Sequence, residues 1–490
     1  LCLLAAVAAA QNLPELEKRI GEFTLENGLH FIVMERREAP VVSFHTYVNA
    51  GSVFDPSGST GIAHMFEHMA FKGTETIGSR NWPEEKKALE AVEEAYDRLD
   101  LERRKVPRGE ASKSPAAEAQ LKVALSRANT YAAPNAWPNL VEENGGAGLN
   151  AQTGLDATEY YFSLPSNRIE LFFLLESQRF LSPVFREFYK ERDVVLEEYR
   201  ARVESNPQGR LLQAFSAAAF AAHPYRRSGA GWPSDIEGLR ARDAERFFKT
   251  YYVPSNITIA VVGDADTAHV RQLARKYFSA LPAAPPPPLL GTRELRQQGP
   301  RQVVVESPAQ PLLYAGFKRP DQYHRDGAVF DVIGGLLGAG RTSLLYKEMV
   351  RDRKIALGVG VQPTFPGGRF ENLFVFFVAP SRGSSVAENE KVLYELIERF
   401  GAQLPEEQAM RRVKTILRAG LIRQLDSNPS VARLLATAHG NYGSWKRLLT
   451  ALDDIDKVAP ADVQRVARQY LVPSGRTVAF SVPPPAGAGK

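Results

Sequence analysis

Cysteine is nearly missing from this chain: of 490 residues the only one is Cys2. With Cys2 in a segment read below as a removable leader, the mature chain has no thiol and no disulfide, and any zinc site held by thiolates is excluded. This leaves the redox compartment open. Long apolar runs are scarce as well. The stretch Leu1–Ala10 is apolar but too short to span a bilayer, and Ala8 and Ala10 fit a small-residue cleavage signal. Residues 1–10 therefore read as the tail of a secretory signal, which predicts a cleaved leader and an exported, soluble periplasmic protein with no integral membrane span. A concentrated basic tract is the third absence. The net charge of +5 comes from 61 basic and 56 acidic residues dispersed along the sequence, so nucleic-acid binding is not expected.

What is present is enough apolar residue for large cores, 44% of the chain, in a length that exceeds one ordinary domain. The clearest boundary is the segment from Pro282, with four consecutive prolines at Pro285–Pro288, followed by a polar stretch to about Pro300. Such a run cannot continue a helix or a central strand and favours an extended spacer. It divides the chain into an N-terminal lobe at 11–281, a linker at 282–299 and a C-terminal lobe at 300–490. The lobes read as diverged copies. Tyr252-Val253-Pro254-Ser255 with Thr258 and Ala260 recurs as Leu471-Val472-Pro473-Ser474 with Thr477 and Ala479. Ser205-Asn206-Pro207 with Arg210-Leu211-Leu212 recurs as Ser427-Asn428-Pro429 with Arg433-Leu434-Leu435, at nearly the same offset.

Strand-like runs lie at Phe31–Met34, Val41–Val48, Ile257–Val262, Leu312–Phe317 and Leu373–Val378, with helical patterns at Ile169–Phe180 and Glu388–Phe400. The expected fold class is α+β: two homologous lobes, each a mostly antiparallel sheet packed with helices. One segment falls outside the duplication. Residues 84–127, within an inserted region of about 80–134, are rich in Ala, Glu, Lys and Arg and interrupted by Pro107 and the Gly109–Pro115 stretch. They predict a two-helix hairpin or projecting arm whose charge is a solvated surface.

The chemistry concentrates at His64-Met65-Phe66-Glu67-His68. Four residues apart on a helix, His64 and His68 share a face and can aim imidazole nitrogens at one point. Neutral imidazole is a good zinc ligand, and Glu67 can reach the same pocket to accept a proton. H-x-x-E-H is the inverzincin pattern. A catalytic zinc site takes three protein donors, and no other histidine is convincingly placed: His223 lies in a loop-like His-Pro-Tyr, while His30 and His45 alternate within strands. A carboxylate is the natural third donor. In Glu191–Glu198 the residues Glu191 and Glu198 share a helical face and Glu197 points away, a spacing that a solvated face would show equally.

With these motifs in view the sequence resembles the insulinase/pitrilysin family, in particular its mitochondrial processing peptidase-like branch. His64–Thr74 resembles the family's zinc helix, Asn150–Tyr161 its Asn-Ala-x-Thr substrate strand, and Glu191–Glu198 the helix carrying the third ligand. His223-Pro224-Tyr225 and the repeats at Pro254 and Pro473 match as well. The resemblance implies a clam-like arrangement of lobes and one Zn2+ per chain held by His64, His68 and Glu198. It further implies that Glu67 is the general base and Glu191 orients a ligand imidazole. Asn150, Ala151 and Thr153 would bind an extended peptide substrate. The chain departs from the pattern twice. His68 and Glu198 are farther apart in sequence than is usual, an excess accounted for by the region at 80–134. The Arg and Tyr that the family's second lobe supplies to substrate fall at Val350 and Leu357, with Arg351 one place out of register and Tyr346 nearby. In the second lobe Gly338, Arg341 and Thr342 fall near the His-Glu-His positions.

These residues predict a zinc metalloendopeptidase acting on extended or unfolded peptides. The missing Arg/Tyr pair predicts a heterodimer with a related paralogue that carries the pair and lacks H-x-x-E-H; Arg351 or Tyr346 substituting within one chain is the alternative. A non-catalytic, zinc-holding scaffold subunit is the competing reading, although it gives Glu67 no purpose. Gly335–Thr342 superficially resembles a phosphate loop, but a phosphate loop follows a strand, and Ala328–Ile333 reads as helix.

Overall fold

The structure, a computed structural model, describes residues 17–104 and 115–484. The leader at 1–10 and most of the interruption between the two inserted helices lie outside the described residues. The strands are β1 (Ile20–Thr24), β2 (His30–Glu35), β3 (Val41–Val48), β4 (Ala147–Thr153), β5 (Thr158–Pro165), β6 (Ile257–Gly263), β7 (Arg301–Glu306), β8 (Leu313–Arg319), β9 (Ala356–Phe365), β10 (Asn372–Pro380) and β11 (Arg476–Val482). The helices used below are α1 (Ile62–Met69), α2 (Trp82–Arg104), α3 (Pro115–Asn129), α4 (Ile169–Leu181), α5 (Phe188–Tyr199), α6 (Pro207–Ala219), α7 (Gly327–Gly338), α8 (Val386–Ala402) and α9 (Asn428–Tyr442).

The strands form two sheets, in the orders β1-β2-β6-β3-β5-β4 and β7-β11-β8-β10-β9. Without β1 the two orders match strand for strand. In each, one parallel pair (β2 with β6, β7 with β11) joins an otherwise antiparallel sheet. The Pro254 and Pro473 repeats are the short turns leading into β6 and β11.

Both sheets are covered on both faces, and the alternation along the strands shows how. Phe31 and Val33 of β2 join Ile259 and Val261 of β6 in the large core beneath α4, whereas Ile32, Met34, Ala260 and Val262 point the opposite way. There they meet Val431, Ala432, Leu435 and Ala436 of α9, a helix from the second half of the chain. The second sheet repeats this arrangement in reverse. Phe374 and Phe376 of β10 face α7 and α8, while Leu373 and Val375 face Leu211, Phe215 and Ala219 of α6, from the first half. Each half thus lends one helix to the other half's sheet. The repeated Ser-Asn-Pro segments begin those two helices. Asn206 accepts hydrogen bonds from the N–H groups of Gln208 and Gly209, and Ser427 from Ser430, with Pro207 and Pro429 in the first turn.

The exchanged helices approach closely. A Cβ added at Gly440 would stand 2.2 Å from Cε1 of Tyr47, a buried ring whose hydroxyl donates to Asn441 Oδ1 at 2.9 Å. Gly440→Ala is expected to cost about 1–3 kcal/mol by overpacking. Gly420→Ala, in a helix where an added Cβ meets nothing within 4 Å, should stabilise by about 0.5–1 kcal/mol. Chemical denaturation of both variants checks the opposite signs.

The inserted α2 and α3 pack side by side as a hairpin, and they lie down on the fold instead of projecting from it: Ala88, Val92, Tyr96 and Ala128 belong to the main core. Its charge also differs from a purely solvated surface. Glu85 is completely buried against Arg186, Glu93 accepts from the Tyr189 hydroxyl at 2.7 Å, and Asp97 pairs with Arg240 and Arg242. Residues 282–299 run without helix or strand. They are not a free spacer, because the Glu294 carboxylate accepts from the N–H groups of Ala221, Ala222 and His223 at 2.8–3.0 Å. Gly335 and Gly338 lie within α7, where an added Cβ would meet Val413 at 2.3 Å and Val361 at 2.6 Å. These glycines serve helix packing, and what runs directly into them is the helix itself and not a strand. No helix among the described residues is long and apolar enough to cross a membrane.

Candidate metal centre

α1 owes its position to its N-terminus. Gly61 precedes it at φ 91°, a left-handed backbone that glycine adopts at little cost. The buried Asp55 carboxylate accepts from Gly61 N at 2.7 Å and Ala63 N at 3.1 Å, satisfying donors that a helix start leaves unpaired. Burial pushes the Asp55 pKa up to about 7 against the pull of these two N–H groups. Ile62, Met65, Phe66 and Met69 enter the core, and this sets the face on which His64 and His68 emerge.

That face meets α5. Nε2 of His64 lies 3.6 Å from Oε2 of Glu198, and Nε2 of His68 lies 3.6 Å from Oε1 of the same carboxylate. One donor atom from each of the three residues falls within 4.8 Å of the other two. The imidazole rings stand nearly perpendicular, 89° apart. Glu191, two turns before Glu198, has Oε2 3.4 Å from His68 Nδ1, while its Oε1 accepts from Lys72 Nζ at 2.5 Å. Glu197 is exposed and pairs with Arg200. The structure therefore brings together His64, His68, Glu191 and Glu198 across more than a hundred residues of sequence.

The donor set fits a zinc-type cation. Burial, with the neighbouring His68 and Arg202, pulls the His64 pKa down to about 3, leaving a neutral imidazole with a free lone pair. Burial pulls His68 down too, but the hydrogen bond to Glu191 and the charges of Glu198 and Glu67 outweigh it, and its pKa ends above the ordinary value. Burial would raise Glu191, yet the bonds with His68 and Lys72 win and hold it down at about 2. Three carboxylates around two histidines make a pocket that favours positive charge. Oε2 of Glu198 is buried and faces two partners, His64 Nε2 at 3.6 Å and the Arg202 guanidinium at 3.0 Å, so it already sits where positive charge is drawn.

Glu67 is half-buried one residue before His68, and burial raises its pKa while hydrogen bonds from Thr153 pull it back. Thr153 ends β4, which packs against α1 and forms one edge of the first sheet. Asn150 and Ala151 pair with Tyr161 and Tyr160 of β5, and the other side of β4 has no strand partner among the described residues. The Asn150 side chain is exposed, with its Oδ1 accepting from Ala151 N at 2.8 Å. In the second lobe Leu357 is exposed in the edge strand β9, and Arg351 is engaged by Asp352 at 2.6 and 2.9 Å.

Three supporting residues were not anticipated from sequence: Asp55, Lys72 and Arg202, the last 3.0 Å from Glu198 Oε2. Helical spacing offered a signal for two of them, since Lys72 lies four residues beyond His68 and Arg202 four beyond Glu198. Asp55 acts through a loop and left no periodic trace.

Comparison with known proteins bears on the family and the fold. The family described as insulinase (peptidase family M16) matches residues 31–97 and 121–231, a gap that falls within the inserted hairpin. The peptidase M16 inactive domain matches residues 239–417. A zinc protease, PqqE of Helicobacter pylori, is 26% identical over 98% of this chain and 97% of its own length. The mitochondrial-processing peptidase subunit beta of Lentinula edodes is 24% identical over 91% of this chain and 86% of its own. Among solved structures, a protease from Helicobacter pylori superposes with a TM-score of 0.79 at 24% identity, covering 95% of this chain and 99% of that one. The periplasmic protease PqqL of Escherichia coli gives 0.70 at 16% identity, over 95% of this chain but 48% of that longer one. The two family matches, in sequence order along a two-lobed fold, establish that this chain belongs to the insulinase family of peptidases, family M16.

Proposed function

We propose that this chain is a zinc-dependent endopeptidase for extended peptides, with His64, His68 and Glu198 as the metal ligands and Glu67 as the general base. The observation that carries this reading is the convergence of three zinc-type donors within 4.8 Å of one another, beside a carboxylate that is not one of them. Zinc, when bound there, would polarise the scissile carbonyl and make water more acidic. The remaining work belongs to side chains. Glu67 takes a proton from the attacking water and delivers it to the leaving amine. Thr153 steadies Glu67, and Glu191, fixed by Lys72, keeps His68 oriented. An extended substrate adds a strand along the open side of β4 near Asn150 and Ala151, where backbone bonds give affinity with little sequence demand.

A related chain completes the site. Val350 and Leu357 stand where the family resemblance calls for Arg and Tyr, and Arg351 is already engaged by Asp352. PqqL, about twice as long, matches this chain with only half of itself, which supports a working unit of two such halves. The partner is a paralogue with the Arg/Tyr pair and without H-x-x-E-H. An exported location agrees with the periplasmic description of PqqL. The test is hydrolysis of a mixed peptide pool by the chain alone and with that paralogue. A rise of about 10²-fold or more on mixing is expected if the paralogue supplies transition-state contacts. Full activity alone, unchanged by the paralogue, would end the heterodimer reading while leaving the zinc site intact.

A further inference from the structure

A second group of metal-type donors lies where the two halves meet, on residues the peptidase chemistry does not use. Glu22 of β1, His30 of β2 and His439 of α9 each offer one donor atom within 4.8 Å of the other two. His30 Nε2 is 3.4 Å from Glu22 Oε2. We propose that Glu22, His30 and His439 form a binding site for a divalent transition-metal ion of the zinc class, joining the first sheet to the helix lent by the second half.

Four observations support it. The donor set, two imidazoles and a carboxylate, suits zinc and its neighbours and repeats the composition of the His64–His68–Glu198 group. His439 Nδ1 is buried with no hydrogen-bond partner among the described residues, an expensive arrangement unless something else engages it, and His30 Nε2 is buried with the Glu22 carboxylate 3.4 Å away. Two of the donors are already oriented through other atoms or neighbours. Thr24 Oγ1 lies 2.9 Å from His30 Nδ1, leaving Nε2 as the outward nitrogen, and the Trp445 indole N–H donates to Glu22 Oε2 at 3.1 Å. Burial pulls the pKa of both imidazoles down, that of His439 to about 4 and that of His30 against the opposing pull of Glu22, the direction that favours the ligating form. The rings are stacked, centroids 3.7 Å apart and planes 11° apart. Seating an ion therefore requires His439 to swing out of the stack, which costs mainly dispersion contact between two neutral rings. Because the donors come from both halves of the chain, an ion here would fasten α9 to β1 and β2.

The test uses the full chain with the other metal group silenced by His64→Ala and His68→Ala. Zinc chloride is titrated calorimetrically, and thermal unfolding is followed with and without zinc. One remaining binding event is expected, with a zinc-dependent rise in unfolding temperature. Both should vanish in His439→Ala. Glu22→Gln, a partly exposed position that leaves the packing intact, should weaken binding by about tenfold or more, so the answer does not hang on the folding of the histidine variant. No zinc binding in the silenced chain would overturn the proposal, as would binding and thermal shift that persist undiminished in both variants.

Discussion

Glu67→Gln should abolish peptide hydrolysis while leaving the metal in place. The change is isosteric, and Glu67 is not among the three donors that converge at the metal centre. Only the capacity to accept a proton disappears. Losing a positioned general base costs about 10²–10⁴-fold in rate. The loss should appear in kcat with KM little changed, because β4 and its open side are untouched. Zinc content and peptide kinetics of the purified variant check both halves of the expectation. Wild-type turnover in Glu67→Gln would remove Glu67 from the chemistry. Loss of zinc from it would show that Glu67 holds the metal, and continued cellular function without hydrolysis would favour the scaffold reading.

Arg186→Ala is expected to be the most damaging single change away from the reacting groups, at about 3–5 kcal/mol. Arg186 is 2% exposed, with Nε donating to Glu85 Oε1 at 2.7 Å and Nη2 to Glu85 Oε2 at 3.3 Å. Its guanidinium also donates to the carbonyls of Lys72, Thr74 and Ile77. Gly73 and Gly78 leave room for it, since a Cβ at either would come within 3.0 Å of Nη1. One side chain thus ties the loop after α1, the first turn of the inserted hairpin and the approach to α5. Truncation leaves Glu85 buried without its countercharge and takes the donor from the Lys72 and Thr74 carbonyls, while the Ile77 carbonyl keeps its bond from Thr74 N at 2.8 Å. Urea denaturation of Arg186→Ala, Glu85→Gln and the double variant measures the coupling. The double variant should recover part of the loss, since the stranded charge is gone. Additive losses would mean that Glu85 and Arg186 do not act as a pair.

The parts of this arrangement that were legible in the sequence are those written in local spacing. His64 and His68 share a face because four residues make about one helical turn. The cap-and-proline signature marks the starts of α6 and α9 wherever those helices go. The strands β6 and β10 announce themselves as apolar runs because both of their faces are covered. What could not be read is which surface each apolar stripe covers. An amphipathic helix does not name its sheet, so the exchange of α6 and α9 between the halves was hidden although the repeat itself was plain. The inserted hairpin shows the same limit. Its charges look uniformly solvated in sequence, yet Glu85 is buried because Arg186, a hundred residues later, reaches it. Glu198 could be favoured over its acidic neighbours only through the family resemblance, and the approach of His439 to His30 and Glu22 has no signal in spacing at all.

In the function proposed above, one cluster of three side chains holds the zinc on which hydrolysis depends. Its most direct test is the zinc retained after desalting, measured by plasma mass spectrometry beside hydrolysis of a quenched peptide, for Glu198→Gln and its parent. Both proteins should carry Glu22→Gln so that the lobe junction does not contribute. The parent should hold about one zinc per chain and cleave the peptide, and Glu198→Gln should lose both together. Full zinc and full hydrolysis in Glu198→Gln would remove Glu198 from the metal and contradict the proposed site.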